Sequence, residues 1–190
     1  MTSRKVVGVF LNSAVHQPHI NTLTAMTHGI RETTDDLVFL SNSTKYMDCD
    51  VAIIFGSWKD RYTKHHILKN DIVNNHKGDL IVIETPLLGR TITEDHRYYR
   101  VGKGHYMDSL GYFNNKNSDK DRWGIIRTDL SLDIKDWRKD GKHIMFLMQL
   151  PGDAATANVD ILKWLQDEIV KCKKISDRPV RVRMHPLISS

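Results

Sequence analysis

The chain has 190 residues, 40% hydrophobic and 27% charged, enough for one ordinary domain or two small ones with a real core, and far from disordered or collagen-like composition. Its longest apolar runs, residues 51–56 and 80–83, fall well short of the ~20 residues a membrane-spanning helix needs. The opening apolar stretch passes straight into Asn12 and Ser13 without the small-residue cleavage pattern of a signal peptide. Two cysteines, Cys49 and Cys172, with no CxxC spacing, speak against a disulfide framework and for a reducing, intracellular setting with no membrane partner.

The net charge of +5 is unevenly spread. Residues 1–95 hold 10 Lys and Arg against 11 Asp and Glu, whereas residues 96–190 hold 18 against 12. All the excess positive charge lies in the second half, which suits a polyanion or a phosphate-bearing ligand. A solvated basic surface accounts for the same arithmetic equally well.

In chain order, residues 5–12 read as a buried strand, apolar on both faces and closed by Asn-Ser. A loop with His16, Pro18 and His19 follows, then a helix over 21–31 with Leu23, Met26 and Ile30 roughly on one face. Residues 37–40 and 51–55 read as strands, the latter closed by Gly56. A helix over 64–76 carries Ile67, Leu68, Ile72 and Val73, and residues 80–83 form a fourth strand ended by Thr85-Pro86. Strands that alternate with helices and lack polar alternation predict a parallel sheet covered on both faces.

From residue 89 to about 141 the periodicity breaks down and Asn, Asp, Gly and aromatic residues dominate, so this segment reads as irregular. Regular order resumes with a strand over 143–150, a tight Pro-Gly-Asp loop, an amphipathic helix over 158–174 and a strand over 179–184. The expectation is therefore a Rossmann-like domain over 1–125, irregular segment included, and a partial second one over 140–190, with a junction near 125–140.

No GxGxxG follows the first strand and no P-loop occurs, which argues against a nicotinamide enzyme and a nucleoside triphosphatase. Ten histidines show no HExxH and no ligand spacing, so no metal site is expected. The loop at Gly152 and Asp153 lies between a strand and a helix. There, at the carboxyl end of a parallel strand, glycine backbone and the free N–H groups of the next helix can hold a phosphate. The alternative is an ordinary loop whose Asp153 caps that helix.

On the last strand Arg181, Arg183 and His185 share one face and Val180, Val182 and Met184 the other. Three potential cations on one face call for water or an anion, and a solvated edge strand meets the requirement as well. Arg122-Trp123 and Trp137-Arg138 each join a ring to a guanidinium, pairs that can stack on bases or sugars or anchor a long loop. For Trp137 the anchoring reading is preferred.

Taken together, GYFNN (111–115), DRWG (121–124), DWR (136–138), QLPGD (149–153) and DRPVRVRMHP (177–186) resemble the bacteriophage DNA glucosyltransferases. The resemblance runs from about residue 5 to 186, and the order of the motifs is its most specific feature. It implies a GT-B architecture of two Rossmann-like domains with a nucleotide-sugar bound between them. The implied activity moves glucose from UDP-glucose onto (glucosylated) hydroxymethylcytosine in double-stranded phage DNA, inside the infected host cell, and so protects that DNA from restriction. UDP-sugar is the donor substrate and no cofactor is implied.

Gly152, Asp153, Arg181, Arg183 and His185 become the candidates for the donor diphosphate. His16, Ser57, Trp58, Arg122 and Trp123 become candidates for the acceptor side. A full second domain of that family continues through further strands and helices past the Arg-x-His-Pro strand, so an abbreviated second domain is expected. A capsule-type sugar transferase, and a non-catalytic module binding DNA or protein through its basic half, stand as alternatives.

Overall fold

A computed structural model describes the chain apart from residues 1, 2, 60, 61, 86, 87, 89–97, 108, 115, 117, 118, 120, 157, 158, 189 and 190. The chain divides into two compact units, Met1–Asp133 and Ile134–Ser190. Unit 1 contains β1 (Val6–Phe10), α1 (Gln17–Thr33), β2 (Leu37–Ser41), β3 (Val51–Phe55), α2 (Lys64–Asn75), β4 (Asp79–Glu84), β5 (Arg100–Lys103) and α3 (Arg122–Asp129). Unit 2 contains β6 (Ile144–Leu147), α4 (Ile161–Ile175) and β7 (Val180–Arg183).

The five strands of unit 1 lie in the order β2-β1-β3-β4-β5. The first four are parallel, as the apolar runs require, and β5 pairs antiparallel to β4. The passage β1–α1–β2 steps one way along the sheet and β3–α2–β4 steps the other. Right-handed crossovers then place α1 and α2 on opposite faces. One face carries Val7, Val9, Ile53, Phe55 and Ile83, packed with Leu23 of α1. Strand alternation turns Phe10, Ala52, Ile54 and Val82 to the other face, all buried, and α2 supplies the fully buried Leu68 and Ile72.

α1 starts four residues earlier than its apolar spacing suggests. Pro18 sits in its first turn, where the N–H that proline lacks would have no helical partner. At the amino ends of the strands three aspartates hold the sheet together. Asp36 accepts from the Lys5 N–H and Asp50 from the Val6 N–H. The third, Asp79, pairs with Lys103 at 2.6 Å and Lys5 at 3.7 Å.

The stretch expected to be irregular holds two regular elements, β5 and α3; residues 89–97 of it lie outside the described residues. β5 was hidden because RVGK lacks apolar alternation and is recruited by its pairing with β4, from Ile81↔Lys103 to Glu84↔Arg100. α3 buries no residue, so it has no apolar stripe for periodicity to detect.

In unit 2, β6 and β7 are parallel neighbours, from Ile144↔Val180 to Leu147↔Arg183. Phe146 meets the edge of Trp164 of α4 at 6.0 Å, which sets the helix on the face of Ile144, Phe146, Val180 and Val182. β6 is shorter than the strand expected over 143–150. The expected start of the helix at residue 158 lies outside the described residues, and α4 begins at Ile161. Trp137, expected as an anchor, is 94% exposed; its ring anchors nothing.

Candidate functional site

Unit 1 reverses its strand order between β1 and β3, and in open α/β sheets the crevice beyond the carboxyl ends at such a point is where ligands bind. The two strand ends are joined there by Ser13. Its buried hydroxyl donates to the Phe10 carbonyl at 2.6 Å and accepts the Phe55 N–H at 2.9 Å. Gly56 ends β3 at φ +79°, a left-handed conformation that glycine adopts without strain, while its N–H bonds the Ile83 carbonyl.

Aromatic rings crowd this end of the sheet. His19 stacks on Phe55 with centroids 4.0 Å apart, and His16, at the start of α1, meets His19 edge-on at 5.5 Å. Tyr99 meets Phe55 edge-on at 5.8 Å. Past Gly56, Ser57 leads to Trp58, whose ring stands edge-on to His105 and Tyr106, each at 4.8 Å. Burial holds the His105 imidazole below its usual pKa of 6.5 and so favours its neutral form at pH 7.

Beneath the Gly56 turn lies Lys69 of α2, 4% exposed. Its ammonium donates to the Phe55 carbonyl at 3.3 Å. Desolvation pulls its pKa down to about 8, opposed by the charge of Glu84 and assisted by that of Lys59.

His16, Ser57 and Trp58 are therefore brought to one end of unit 1. For Arg122 and Trp123, which open α3, no such contact is seen: among the described residues no hydrogen bond, ion pair or ring contact joins either side chain to this group. The guanidinium–ring contact of this region is a different one, Arg100 lying 5.5 Å over Phe113.

In unit 2 the Met148 N–H donates to the Arg183 carbonyl at 2.9 Å. The turn that follows β6, with Gly152 at φ +70°, thus leaves the same end of the sheet at which β7 delivers Arg183 and His185. The register puts Arg181 beside Met145 and Arg183 beside Leu147 on the face opposite α4. All four are exposed. His185 lies beyond the strand, and its Nδ1 accepts the Leu187 N–H at 3.2 Å.

The reading of Asp153 as the helix cap needs correction. Asp153 turns its carboxylate onto the Ala154 N–H and does not cap α4. Asp160 caps it, accepting from Leu162 and Lys163 at 3.1 and 3.0 Å. Two N–H groups of the first turn of α4 are thus already taken by the Asp160 carboxylate. Among the described residues no three His, Cys, Asp or Glu side chains come together to hold a metal ion.

Sequence reasoning missed Ser13, Lys69, Tyr99, His105 and Tyr106. Ser13 and Lys69 carry one weak signal each, a polar residue where the surroundings are apolar. Lys69 follows Leu68 and lies one turn before Ile72 and Val73, so it falls beside the apolar stripe of α2. Tyr99, His105 and Tyr106 reach the site only through the β4–β5 pairing, which has no local signature.

Fold and site together define a mixed α/β protein with a mostly parallel five-stranded sheet of Rossmann-like character and a second, two-stranded parallel unit. No helix among the described residues is long and apolar enough to cross a membrane. No protein-family model, curated protein or solved structure matches the chain.

Proposed function

We propose that the chain is a glycosyltransferase of GT-B type that moves glucose from UDP-glucose onto glucosylated hydroxymethylcytosine in double-stranded phage DNA. In this reading it works in the cytoplasm of the infected cell and protects the DNA from restriction. Unit 2 takes the nucleotide-sugar, and the carboxyl end of unit 1, with His16, Ser57 and Trp58, takes the acceptor.

The observation that supports it most is the meeting, at one end of a parallel βαβ unit, of a left-handed glycine turn at Gly152 and the Arg183–His185 segment. Breaking the sugar–phosphate bond builds negative charge on the leaving diphosphate. A pre-positioned guanidinium and backbone N–H groups stabilise that charge most where water is scarce. Residues 134–190 hold 11 Lys and Arg against 7 Asp and Glu, four of the five net positive charges of the chain. Arg183, at the strand end, is expected to act on the diphosphate more directly than Arg181, which sits inside the strand.

UDP-glucose and UDP should raise the unfolding temperature, because a ligand that binds only the folded state stabilises it by mass action. Arg183→Ala should weaken that binding by roughly 1.5–3 kcal/mol, the range for hydrogen bonds to a charged group. Arg181→Ala should cost less, and radiolabelled glucose transfer to β-glucosylated DNA should fall in step with Arg183→Ala. A protein that ignores both ligands at millimolar concentration is not this transferase; one that responds to them without labelling DNA uses another acceptor.

A further inference from the structure

Lys69 is a buried cation with little pairing among the described residues. An ammonium carries three N–H donors, yet its single hydrogen bond among the described residues is the 3.3 Å contact to the Phe55 carbonyl. No carboxylate stands within ion-pair distance of it among the described residues. Glu84, the carboxylate whose charge acts on it, uses one oxygen to accept from the Thr85 N–H at 2.7 Å and the Thr85 hydroxyl at 2.9 Å. A charge so poorly matched costs stability that a hydrophobic side chain of the same length would not.

The ammonium lies directly against Gly56. The Cβ position that a side chain at residue 56 would occupy lies 3.5 Å from Lys69 Nζ, in van der Waals contact. With glycine at this position no side chain occupies the space beside Nζ. The charged groups around Nζ are Glu84 of β4, Lys59 after β3 and, on α2 itself, His65. Burial and the charge of Lys69 hold His65 below its usual pKa, which leaves two cations and one carboxylate at pH 7. Across the sheet end, His19 covers Phe55 from the α1 side.

We propose that the carboxyl end of β3 in unit 1 is an oxyanion site, in which Lys69, reached past Gly56, receives the terminal phosphate of a small phosphate-bearing ligand. The site lies wholly within unit 1 and stands apart from the donor reading of Gly152 and Arg183. A terminal phosphoryl group is small enough for an ammonium this deeply buried, and a duplex backbone is not. The lowered pKa supplies a signature: the ammonium is mostly charged at pH 7.5 and mostly neutral at pH 9.5.

The test uses the full chain carrying Arg183→Ala, so that diphosphate binding on unit 2 is weakened, with calorimetric titration of pyrophosphate at low salt. Saturable one-site binding is expected, and adding Lys69→Met should weaken it at least about tenfold. This variant removes a buried charge, so loss of folding is not the concern. Sulfate, whose own charge is constant across the range, should bind about tenfold more weakly at pH 9.5 than at pH 7.5 in the Lys69 protein, and without pH dependence in the Met variant.

Three results would each overturn the site: unchanged pyrophosphate binding in the Met variant, no pyrophosphate binding at 10 mM (roughly −2.7 kcal/mol) in the Lys69 protein, or displacement of pyrophosphate by a short duplex lacking terminal phosphates. Loss of UDP-glucose binding in Arg183→Ala speaks to the transferase reading alone.

Discussion

The two units obey the same strand–helix–strand grammar and spend it differently. In unit 1, β1 and β3 are apolar on both faces, and helices on the two sides of the sheet bury Leu23, Leu68 and Ile72 completely. In unit 2, β7 alternates valine with arginine, and one face of its sheet leaves Met145, Leu147, Arg181 and Arg183 exposed. Among the described residues Met148 is the one hydrophobic residue of unit 2 that is buried. Burial therefore concentrates in unit 1, while β7 gives half its positions to cations that stand exposed. Within unit 1 the exception is Lys69, a charge inside the buried part.

This contrast breaks most visibly at Ile54, which is fully buried in β3. Ile54→Ala should cost about 4 kcal/mol through lost burial and the cavity left behind, read by denaturant unfolding. Phe146→Ala in unit 2, half-buried against Trp164, should cost about 2 kcal/mol or less. Equal losses at the two sites would show that stability is shared evenly between the units.

The second test sharpens the exception. Lowering the Lys69 pKa from 10.5 to about 8 corresponds to about 3 kcal/mol of cost to the folded state at neutral pH. Between those two values the unfolded chain holds the proton that the folded chain has released. Stability should therefore rise as pH increases from about 8 towards 10.5, with the cost fully present below about 8. Lys69→Met should stabilise the protein at pH 7 by about 2 kcal/mol, net of one lost hydrogen bond, and remove that alkaline rise. A destabilised variant with the rise intact would mean that the ammonium is well solvated where it stands.

The smallest effect belongs to the helix of unit 2. Asp160→Ala removes the carboxylate that caps α4 at Leu162 and Lys163 and should cost about 1 kcal/mol, seen as loss of helical circular dichroism at a lower temperature. Asp153→Ala should change this little, because its carboxylate serves the local turn. A larger loss at Asp153 would restore it as the cap.

Much of the frame was legible from residue order. The four parallel strands of unit 1 and the parallel pair of unit 2 follow from apolar runs separated by helical periodicity, a local signal that needs no knowledge of neighbours. β5 and α3 were not legible, since one is a strand only because β4 offers it an edge and the other buries nothing. At the candidate site His16, Ser57 and Trp58 could be placed at strand ends by their position after apolar runs. The ring partners of Trp58, His105 and Tyr106, lie far along the chain and could not.

What the sequence by itself determined is the class of the protein, the order of its main elements and the cationic alternation of β7, all set by side-chain type at short range. Tertiary structure alone decided that Ser13 joins β1 to β3, that Asp160 and not Asp153 caps α4, and that Lys69 keeps a poorly paired charge beneath Gly56. These depend on which carbonyl, carboxylate or N–H arrives from a distant part of the chain. Hydrogen bonding and desolvation act over a few ångströms in space, whatever the separation in sequence.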